Sequence, residues 1–384
     1  MQSRRRNAFV SRLGTLAALL AAPVWANPSP GSPTDGPGDI VQMAKIPAPP
    51  GATGWKVLYR STGLKGEPIV VSGLVFAPSA PPPQEGRRVI AWAHPTTGVA
   101  EPCAPSLFPK VLERIPSLAD LLGRGFVVAA TDYPGLGTPG PHPYLIGVSE
   151  GRAVLDSVRA AKNVPGSGAG SRYAVWGHSQ GGHAALFTGQ LSRDYAPELT
   201  LVGVAAIAPA TDLEQLLKDD IDERVGRVLA SMALVSWGQV YDTSVDAILN
   251  PPARPIVKRV AKDCVENVLE GYKVALDSWT LTPRFLSKEV YSEPPWSRII
   301  AENKPGQAPA GAPVYVFQGM ADKCVRPQVT AAFVEGLCAR GERVEYDTLI
   351  DGDHLTAGIR SAEAAAAWMS DRFEGKPPPS TCPN

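Results

Sequence analysis

Short apolar runs recur along the chain and alternate with stretches of helical periodicity. Four of them lack polar alternation and lie at residues 89–92, 126–130, 173–176 and 201–207. Runs of this kind are typical of parallel strands that are covered on both faces. Val154, Leu155, Val158 and Ala161 lie between two of the runs at helical spacing. The alternation predicts an α/β fold, with a mostly parallel sheet between helices on both sides.

An antiparallel hairpin is predicted ahead of these strands. Residues 55–60 and 69–76 are rich in β-formers, and a turn that contains Gly and Pro joins them. Residues 27–50 are rich in Pro, Gly and Ser, so we expect a mostly irregular leader there. Two further strands are predicted at residues 314–317 and 344–349. Predicted helices follow each of them, at residues 328–339 and 362–373, before a Pro-rich tail at 376–384.

The pattern changes between residues 213 and 310. Leu217, Ile221, Val225, Val228 and Met232 follow helical spacing, with acidic residues between them, and no clean strand pattern is present. We therefore expect a mainly helical cap at 213–310, inserted into an α/β core made of residues 51–212 and 311–375.

The first 26 residues have the pattern of a secretory signal peptide. Basic residues from Arg4 to Arg12 precede an apolar stretch at 13–22, which is too short to span a bilayer. Residues 24–26 fit a small-residue cleavage site. The prediction is a secreted or periplasmic protein without a transmembrane segment after signal removal; an uncleaved anchor is the alternative.

Composition narrows the class of function. The chain carries 37 basic and 37 acidic side chains, so no charge excess suggests a nucleic-acid partner. The histidines lack the spacing of metal ligands, and no Cys-x-x-Cys pair occurs, so we expect neither a metal nor a cofactor. Five cysteines in an exported chain suggest disulfides with one thiol left over.

The most informative motif is Gly-His-Ser-Gln-Gly at residues 177–181. It follows the apolar run at 173–176 and precedes a small-residue helical stretch. A sharp strand-turn-helix with this motif is the setting in which a serine becomes a nucleophile, which makes Ser179 the candidate. The alternative is a merely structural turn.

A nucleophilic serine needs a base and an acid that orients the base, here in the chain order Ser, Asp or Glu, His. His354 is the only histidine after Ser179 in the sequence and is placed in a loop after a predicted strand. Asp322 follows the strand at 314–317, at the carboxyl end where ligands gather in open α/β sheets. Asp212 is the runner-up for the acid.

The tetrahedral oxyanion needs two N–H donors. One is expected from Gln180, the residue after the nucleophile, and the other from the loop after the strand at 89–92. Pro95 in that loop has no N–H, so Thr96 or Thr97 is the second donor. His94 is expected to be structural. Tyr133, in a loop that should line the same crevice, either faces the substrate or is packed.

These segments together resemble the secretory lipases of the lipase A type. The resemblance rests on His-Pro-Thr-Thr-Gly at 94–98, Asp-Tyr-Pro-Gly-Leu-Gly at 132–137, the Ser179 motif, Asp322 and His354, and it covers roughly residues 50–375. It implies an α/β-hydrolase fold with a helical cap and hydrolysis of carboxylic esters, including triacylglycerols. It also implies a disulfide between Cys103 and Cys264. We further hypothesise a bridge between Cys338 and Cys382, which would leave Cys324 unpaired.

The expected function is that of a secreted serine esterase or lipase that forms an acyl-enzyme on Ser179. Its substrate would be a small acyl ester, including esters presented in lipid aggregates, and the apolar face of residues 217–237 is a candidate surface for the acyl chain. A serine peptidase of the same fold and a non-catalytic binding protein with a hydrolase fold are the alternatives.

Overall fold

A nine-stranded sheet forms the framework of the protein in a computed structural model that describes residues 36–265 and 268–383. Along the chain, its strands are β1 (Ile40–Ile46), β2 (Ala52–Thr62), β3 (Pro68–Pro78), β4 (Arg87–Ala93), β5 (Val127–Thr131), β6 (Ala169–His178), β7 (Thr200–Ile207), β8 (Val314–Gly319) and β9 (Val344–Leu349). Their order across the sheet is β1-β2-β3-β5-β4-β6-β7-β8-β9. The pairs β1-β2, β2-β3 and β3-β5 are antiparallel and the others are parallel. The prediction of a mostly parallel sheet with an antiparallel hairpin at one edge is confirmed.

The helices lie on both faces of this sheet and around a separate hydrophobic cluster. They are α1 (Leu118–Gly123), α2 (Gly147–Asn163), α3 (Gln180–Tyr195), α4 (Leu213–Asp220), α5 (Arg224–Val240), α6 (Arg254–Val260), α7 (Val268–Asp277), α8 (Trp296–Glu302), α9 (Pro327–Ala339), α10 (His354–Arg360) and α11 (Ala362–Phe373). In β4, Val89 and Ala91 belong to the core on the side of α2 and α3, whereas Ile90 and Trp92 belong to the core on the side of α1 and α11. Alternate side chains enter different cores, which explains why this strand has no polar positions.

The expected irregular leader at 27–50 is wrong for part of its described length. Ile40–Ile46 forms β1 and pairs antiparallel with β2. Most of its side chains are partly or fully exposed, so the strand carries little hydrophobic pattern of its own. It forms because the outer edge of β2 offers unpaired backbone groups. The predicted signal peptide lies outside the described residues.

Helices α4 to α8 surround a hydrophobic cluster separate from the two cores of the sheet. Leu234, Trp237, Val257, Phe285 and Trp296 are among its buried members. The cluster touches the sheet domain through the segment that precedes α2, whose Tyr144, Leu145 and Ile146 belong to it. There, the indole N–H of Trp237 donates to the carbonyl oxygen of Tyr144 at 2.8 Å. These helices therefore sit over the segment that leads into α2.

Two disulfides connect distant parts of the chain. Cys103 is bonded to Cys264, and Cys338 is bonded to Cys382, as expected, while Cys324 is a free thiol. The second bridge holds the Pro-rich tail against β9, where the N–H of Thr381 donates to the carbonyl oxygen of Val344 at 2.8 Å. In the described part of the chain, no helix combines the length and the apolar character that crossing a bilayer requires.

Candidate active site

The turn between β6 and α3 presents Ser179 with a strained backbone. Its φ of 58° and ψ of −117° lie outside the regions that a residue with a side chain ordinarily occupies. Gly177 and Gly181 are both needed because neighbouring backbone atoms pack closely against them. A Cβ on Gly181 would lie 1.9 Å from the carbonyl oxygen of Ala93, and one on Gly177 would lie 2.0 Å from that of Gly181. The motif therefore requires these two glycines for steric reasons, and the side chain of Ser179 remains partly exposed.

Asp322 and His354 form the hydrogen-bonded pair that the sequence predicts. Nδ1 of His354 lies 2.7 Å from Oδ2 of Asp322. The backbone N–H groups of Cys324 and Val325 both donate to Oδ1 of Asp322 at 2.8 Å, and the Gln318 amide donates to Oδ2. Asp322 is 4% exposed. These donors fix the orientation of a buried carboxylate, which in turn orients the imidazole.

The sequence predicts a loop at His354, but in the structure His354 is the first residue of α10. The side chain of Asp353 caps this helix by accepting a hydrogen bond from the N–H of Thr356 at 2.8 Å. An Asp at this position satisfies an N–H group that has no partner within the helix. The cap thus fixes the backbone that carries the imidazole.

His178 places His354 next to the serine turn. The two imidazole rings are 4.7 Å apart, and Nε2–H of His178 donates to the carbonyl oxygen of His354 at 3.0 Å. Burial, together with the nearby His354, lowers the pKa of His178 to about 3. His178 is therefore neutral near pH 7. Because His178 directly precedes Ser179, its hydrogen bond holds the backbone of His354 close to the serine turn.

The loop after β4 is held in place by the segment that follows α6. The N–H of Val265 donates to the carbonyl oxygen of Thr97 at 3.0 Å, and Gly98 pairs with Cys264 in an isolated antiparallel bridge. The hydroxyl groups of Thr96 and Tyr144 are hydrogen-bonded at 2.8 Å. On the other side of the site, Gln180 begins α3, so its N–H has no partner within the helix. Both candidate donor segments are thus rigidly held.

A buried polar network beside Gln180 was not predicted. The Gln180 amide donates to Oε1 of Glu150 at 2.6 Å and to Nε2 of His142 at 3.0 Å. Glu150 also accepts the N–H of Leu145 at 3.0 Å and faces Nδ1 of His183 at 3.4 Å. Burial lowers the pKa of His142 to about 4, so its Nε2 is an unprotonated acceptor. This network anchors the first residue of α3 from its side chain.

Glu150 looks like an ordinary surface glutamate in the sequence, yet it is fully buried. The signal that could have identified it is the set of small or apolar residues at its helical neighbours, Gly147, Gly151, Ala153 and Val154. A glutamate on the apolar face of a helix must find hydrogen-bond donors inside the protein.

A cavity of about 60 Å³, partly open to solvent, lies at Ser179 and Gln180. Residues from α4, α5 and the segment before α2 form most of its wall: Tyr144, Leu145, Ala210, Leu213, Leu216, Leu217, Asp220, Gly226, Leu229, Ala230, Ala233, Trp237, Cys324 and Val325. Leu217 and Trp237, the ends of the predicted acyl-binding face, both line it. The wall is mostly apolar, with Asp220 as an exception.

The remaining candidates have structural contacts. Asp212 caps α4 and binds the Lys304 ammonium at 2.6 Å, so its contacts lie away from His354. Tyr133 is buried and donates its hydroxyl to the carbonyl oxygen of His94, which makes it a packed loop residue. Within residues 36–265 and 268–383, no cluster of three His, Cys, Asp or Glu side chains could hold a metal ion.

Comparisons with known proteins identify a matching family and similar relatives. The family model described as secretory lipase matches residues 112–381. Lipase A of Moesziomyces aphidis is 24% identical over 378 residues, which cover 90% of this chain and 78% of that protein. A relative from Mycobacterium tuberculosis, named probable inactive lipase MT1628, is 24% identical over 356 residues and covers 88% of this chain and 77% of its own.

Solved structures agree on the fold. The crystal structure of Candida antarctica lipase A aligns with a TM-score of 0.77 and 21% identity, covering 90% of this chain and 84% of that one. At this identity, the likeness establishes the α/β-hydrolase architecture, and the chemistry has to be argued from the residues themselves.

Proposed function

The chain belongs to the secretory lipase family, and from that premise we propose that it is a secreted serine hydrolase that cleaves carboxylic esters through an acyl-enzyme on Ser179. The observation that carries this proposal is the 2.7 Å hydrogen bond between His354 and Asp322, with the His354 ring 4.7 Å from that of His178, the residue before a serine whose φ is positive. A base oriented by a buried carboxylate, next to a strained serine, is the arrangement that activates a hydroxyl.

In the first step, Nε2 of His354 takes the proton of Ser179 as its Oγ attacks the ester carbonyl. Nδ1–H stays hydrogen-bonded to Asp322, which fixes the tautomer and stabilises the imidazolium that forms. The carbonyl oxygen becomes an oxyanion and accepts hydrogen bonds from the N–H of Gln180 and of Thr96 or Thr97. His354 then gives its proton to the alcohol as the C–O bond breaks.

In the second step, water attacks the acyl-enzyme. His354 takes a proton from the water, the oxyanion forms again between the same donors, and Ser179 leaves with the proton returned by His354. The acid is released and the enzyme is regenerated without any cofactor. During this step the acyl group occupies the apolar cavity, whose wall comes largely from α4 and α5.

We propose the same division of the chain that the sequence suggests. A helical cap at residues 213–310 interrupts an α/β core at 51–212 and 311–375, after a signal peptide at 1–26. The separate hydrophobic cluster of α4 to α8 supports the cap as a unit that shapes the substrate cavity.

The test compares Ser179→Ala with Ser292→Ala, a change at an exposed serine of the cap. We expect p-nitrophenyl ester turnover and labelling by a fluorophosphonate probe to be lost in the first variant and kept in the second. Full turnover by Ser179→Ala would refute the assignment. Cleavage of short peptides but not of esters by the wild type would favour a peptidase instead.

The relative named a probable inactive lipase gives a second candidate, a binding protein that lacks turnover. The same probe separates the two, because labelling requires an activated serine. Binding of an ester without labelling of Ser179 would favour this second candidate.

A further inference from the structure

The cavity next to Ser179 contains one group that does not suit a plain hydrocarbon chain. Its wall is formed mainly by Leu, Ala, Val and Trp side chains, and Asp220 contributes the only carboxyl group among the lining residues. Asp220 is the last residue of α4 and is 7% exposed. An acid in an apolar pocket beside a nucleophile needs a physical explanation.

Oδ1 of Asp220 is buried and has no hydrogen-bond partner in the part of the chain that the structure describes. The nearest cation, Arg326, has its Nε 4.0 Å from this oxygen, which is beyond hydrogen-bond distance. Arg326 instead donates from Nη2 to the carbonyl oxygen of Asp219. The carboxyl of Asp220, a residue that lines the cavity, is therefore left with an unused acceptor oxygen.

A hydrocarbon chain in this cavity would offer no hydrogen bond to the carboxyl of Asp220. A buried polar atom without a partner is unfavourable enough to change affinity by about tenfold or more. A hydroxyl on the chain would instead bond to the carboxyl. Sites built to bind a hydroxyl discriminate strongly against analogues that lack it, because their own polar groups are then unpaired.

The proposed mechanism assigns the cavity to the acyl group, which stays attached to Ser179 after the alcohol leaves. Resting on the proposed ester hydrolysis, we propose that Asp220 is a specificity-determining residue whose carboxyl binds a hydroxyl group on the acyl chain. The preferred substrates are then esters of hydroxy-fatty acids rather than of unsubstituted ones.

The ionisation of Asp220 adds a pH signature to this preference. Burial raises the pKa of Asp220 to about 7, with Asp219, Asp322 and Glu223 also raising it and Arg326 lowering it. Both forms of the carboxyl bond to a hydroxyl, as a donor below this pH and as an acceptor above it. An alkyl chain is disfavoured most by the charged form, so discrimination should increase as the pH rises.

The experiment measures kcat and KM for methyl esters of one straight-chain fatty acid and each of its monohydroxy isomers. The wild type, Asp220→Leu, Asp220→Asn and the control Asp222→Asn are compared at about pH 6 and about pH 8. We expect the wild type to prefer one isomer by about tenfold at the higher pH, with a smaller preference at the lower pH. Asp220→Leu should prefer the unsubstituted ester at both pH values, and Asp222→Asn, at an exposed position, should behave as the wild type.

The inference is overturned if the wild type prefers the unsubstituted ester to every isomer at both pH values. It is also overturned if Asp220→Leu changes kcat/KM for all esters by the same factor, as a purely structural role would. If Asp220→Leu does not fold, the nearly isosteric Asp220→Asn must lose the pH dependence of the preference. Failure of ester hydrolysis as such, or turnover by Ser179→Ala, would instead refute the proposed function.

Discussion

Removal of the Cys103–Cys264 disulfide tests whether the proposed cap holds in place the loop that carries Thr96 and Thr97, the proposed oxyanion donors. This bridge closes a separation of 161 residues, and the bridge between Cys338 and Cys382 closes one of 44. The chain-entropy relation assigns about 5 kcal/mol to the first and about 4 kcal/mol to the second, both as upper values. Replacing either pair by serine should therefore destabilise the protein by similar amounts.

The two bridges differ in what they hold. Cys264 pairs with Gly98, and the N–H of the adjacent Val265 donates to Thr97, so the first bridge fixes the loop that carries the second proposed oxyanion donor. The second bridge holds the tail against β9. Loss of one oxyanion donor reduces kcat by about 10²–10³. We expect a loosened donor to reduce kcat by about tenfold or more, with a smaller change in KM.

The assay compares the double variants Cys103→Ser/Cys264→Ser and Cys338→Ser/Cys382→Ser. Denaturant unfolding measures the free energy of unfolding, and ester turnover is measured at a temperature at which both variants are fully folded. We expect similar losses of stability but a fall in kcat only in the first variant. Equal kcat values in the two variants would refute the reasoning, because the loop would then not depend on the bridge to the cap.

Three further predictions concern single residues. Asp322→Asn should lower kcat by about 10⁴ because the imidazole loses its orienting carboxylate, whereas Asp351→Asn, at an exposed position, should not; equal kcat values in these two variants would contradict the triad. Gly181→Ala should prevent stable folding, since its Cβ would lie 1.9 Å from a backbone oxygen. Gly271→Ala should be tolerated, because a Cβ there would have no neighbour within 4 Å. Soluble yield and thermal melting of the two variants test this difference in stability. Burial raises the pKa of Asp220 to about 7 in the folded state, so the wild type loses stability relative to Asp220→Asn as the pH rises from about 4 to about 7. Solvent screening reduces the expected difference in unfolding free energy between the wild type and Asp220→Asn to about 2 kcal/mol at the higher pH. The prediction is wrong if this difference does not change with pH.

Strand positions could be predicted where burial on both faces dictates them. In β4, successive side chains enter two different cores, so every position from residue 89 to residue 92 must be apolar. The edge strand β1 could not be predicted in this way. Its side chains are largely exposed, and its backbone is ordered by pairing with β2, which no local pattern reports.

The buried polar residues around the proposed site also depend on contacts that local sequence does not report. Glu150 and Asp220 are both buried, and their surroundings are formed by segments far away in the chain. Their partners and neighbours, Gln180 and Arg326, are 30 or more residues away in the chain. Helical periodicity shows which face a residue occupies, but not which distant segment covers that face.

By itself, the sequence determined the serine turn. Gly177, Ser179 and Gly181 are adjacent in the chain, and the steric demands of a strand-turn-helix reversal act over these few residues. The tertiary structure brings the predicted pair His354 and Asp322 together near this turn, and only the tertiary structure shows that Asp220 of α4 lines the cavity. These contacts join segments far apart in the chain, and they form only when the sheet and the cap pack together and bury their apolar surfaces.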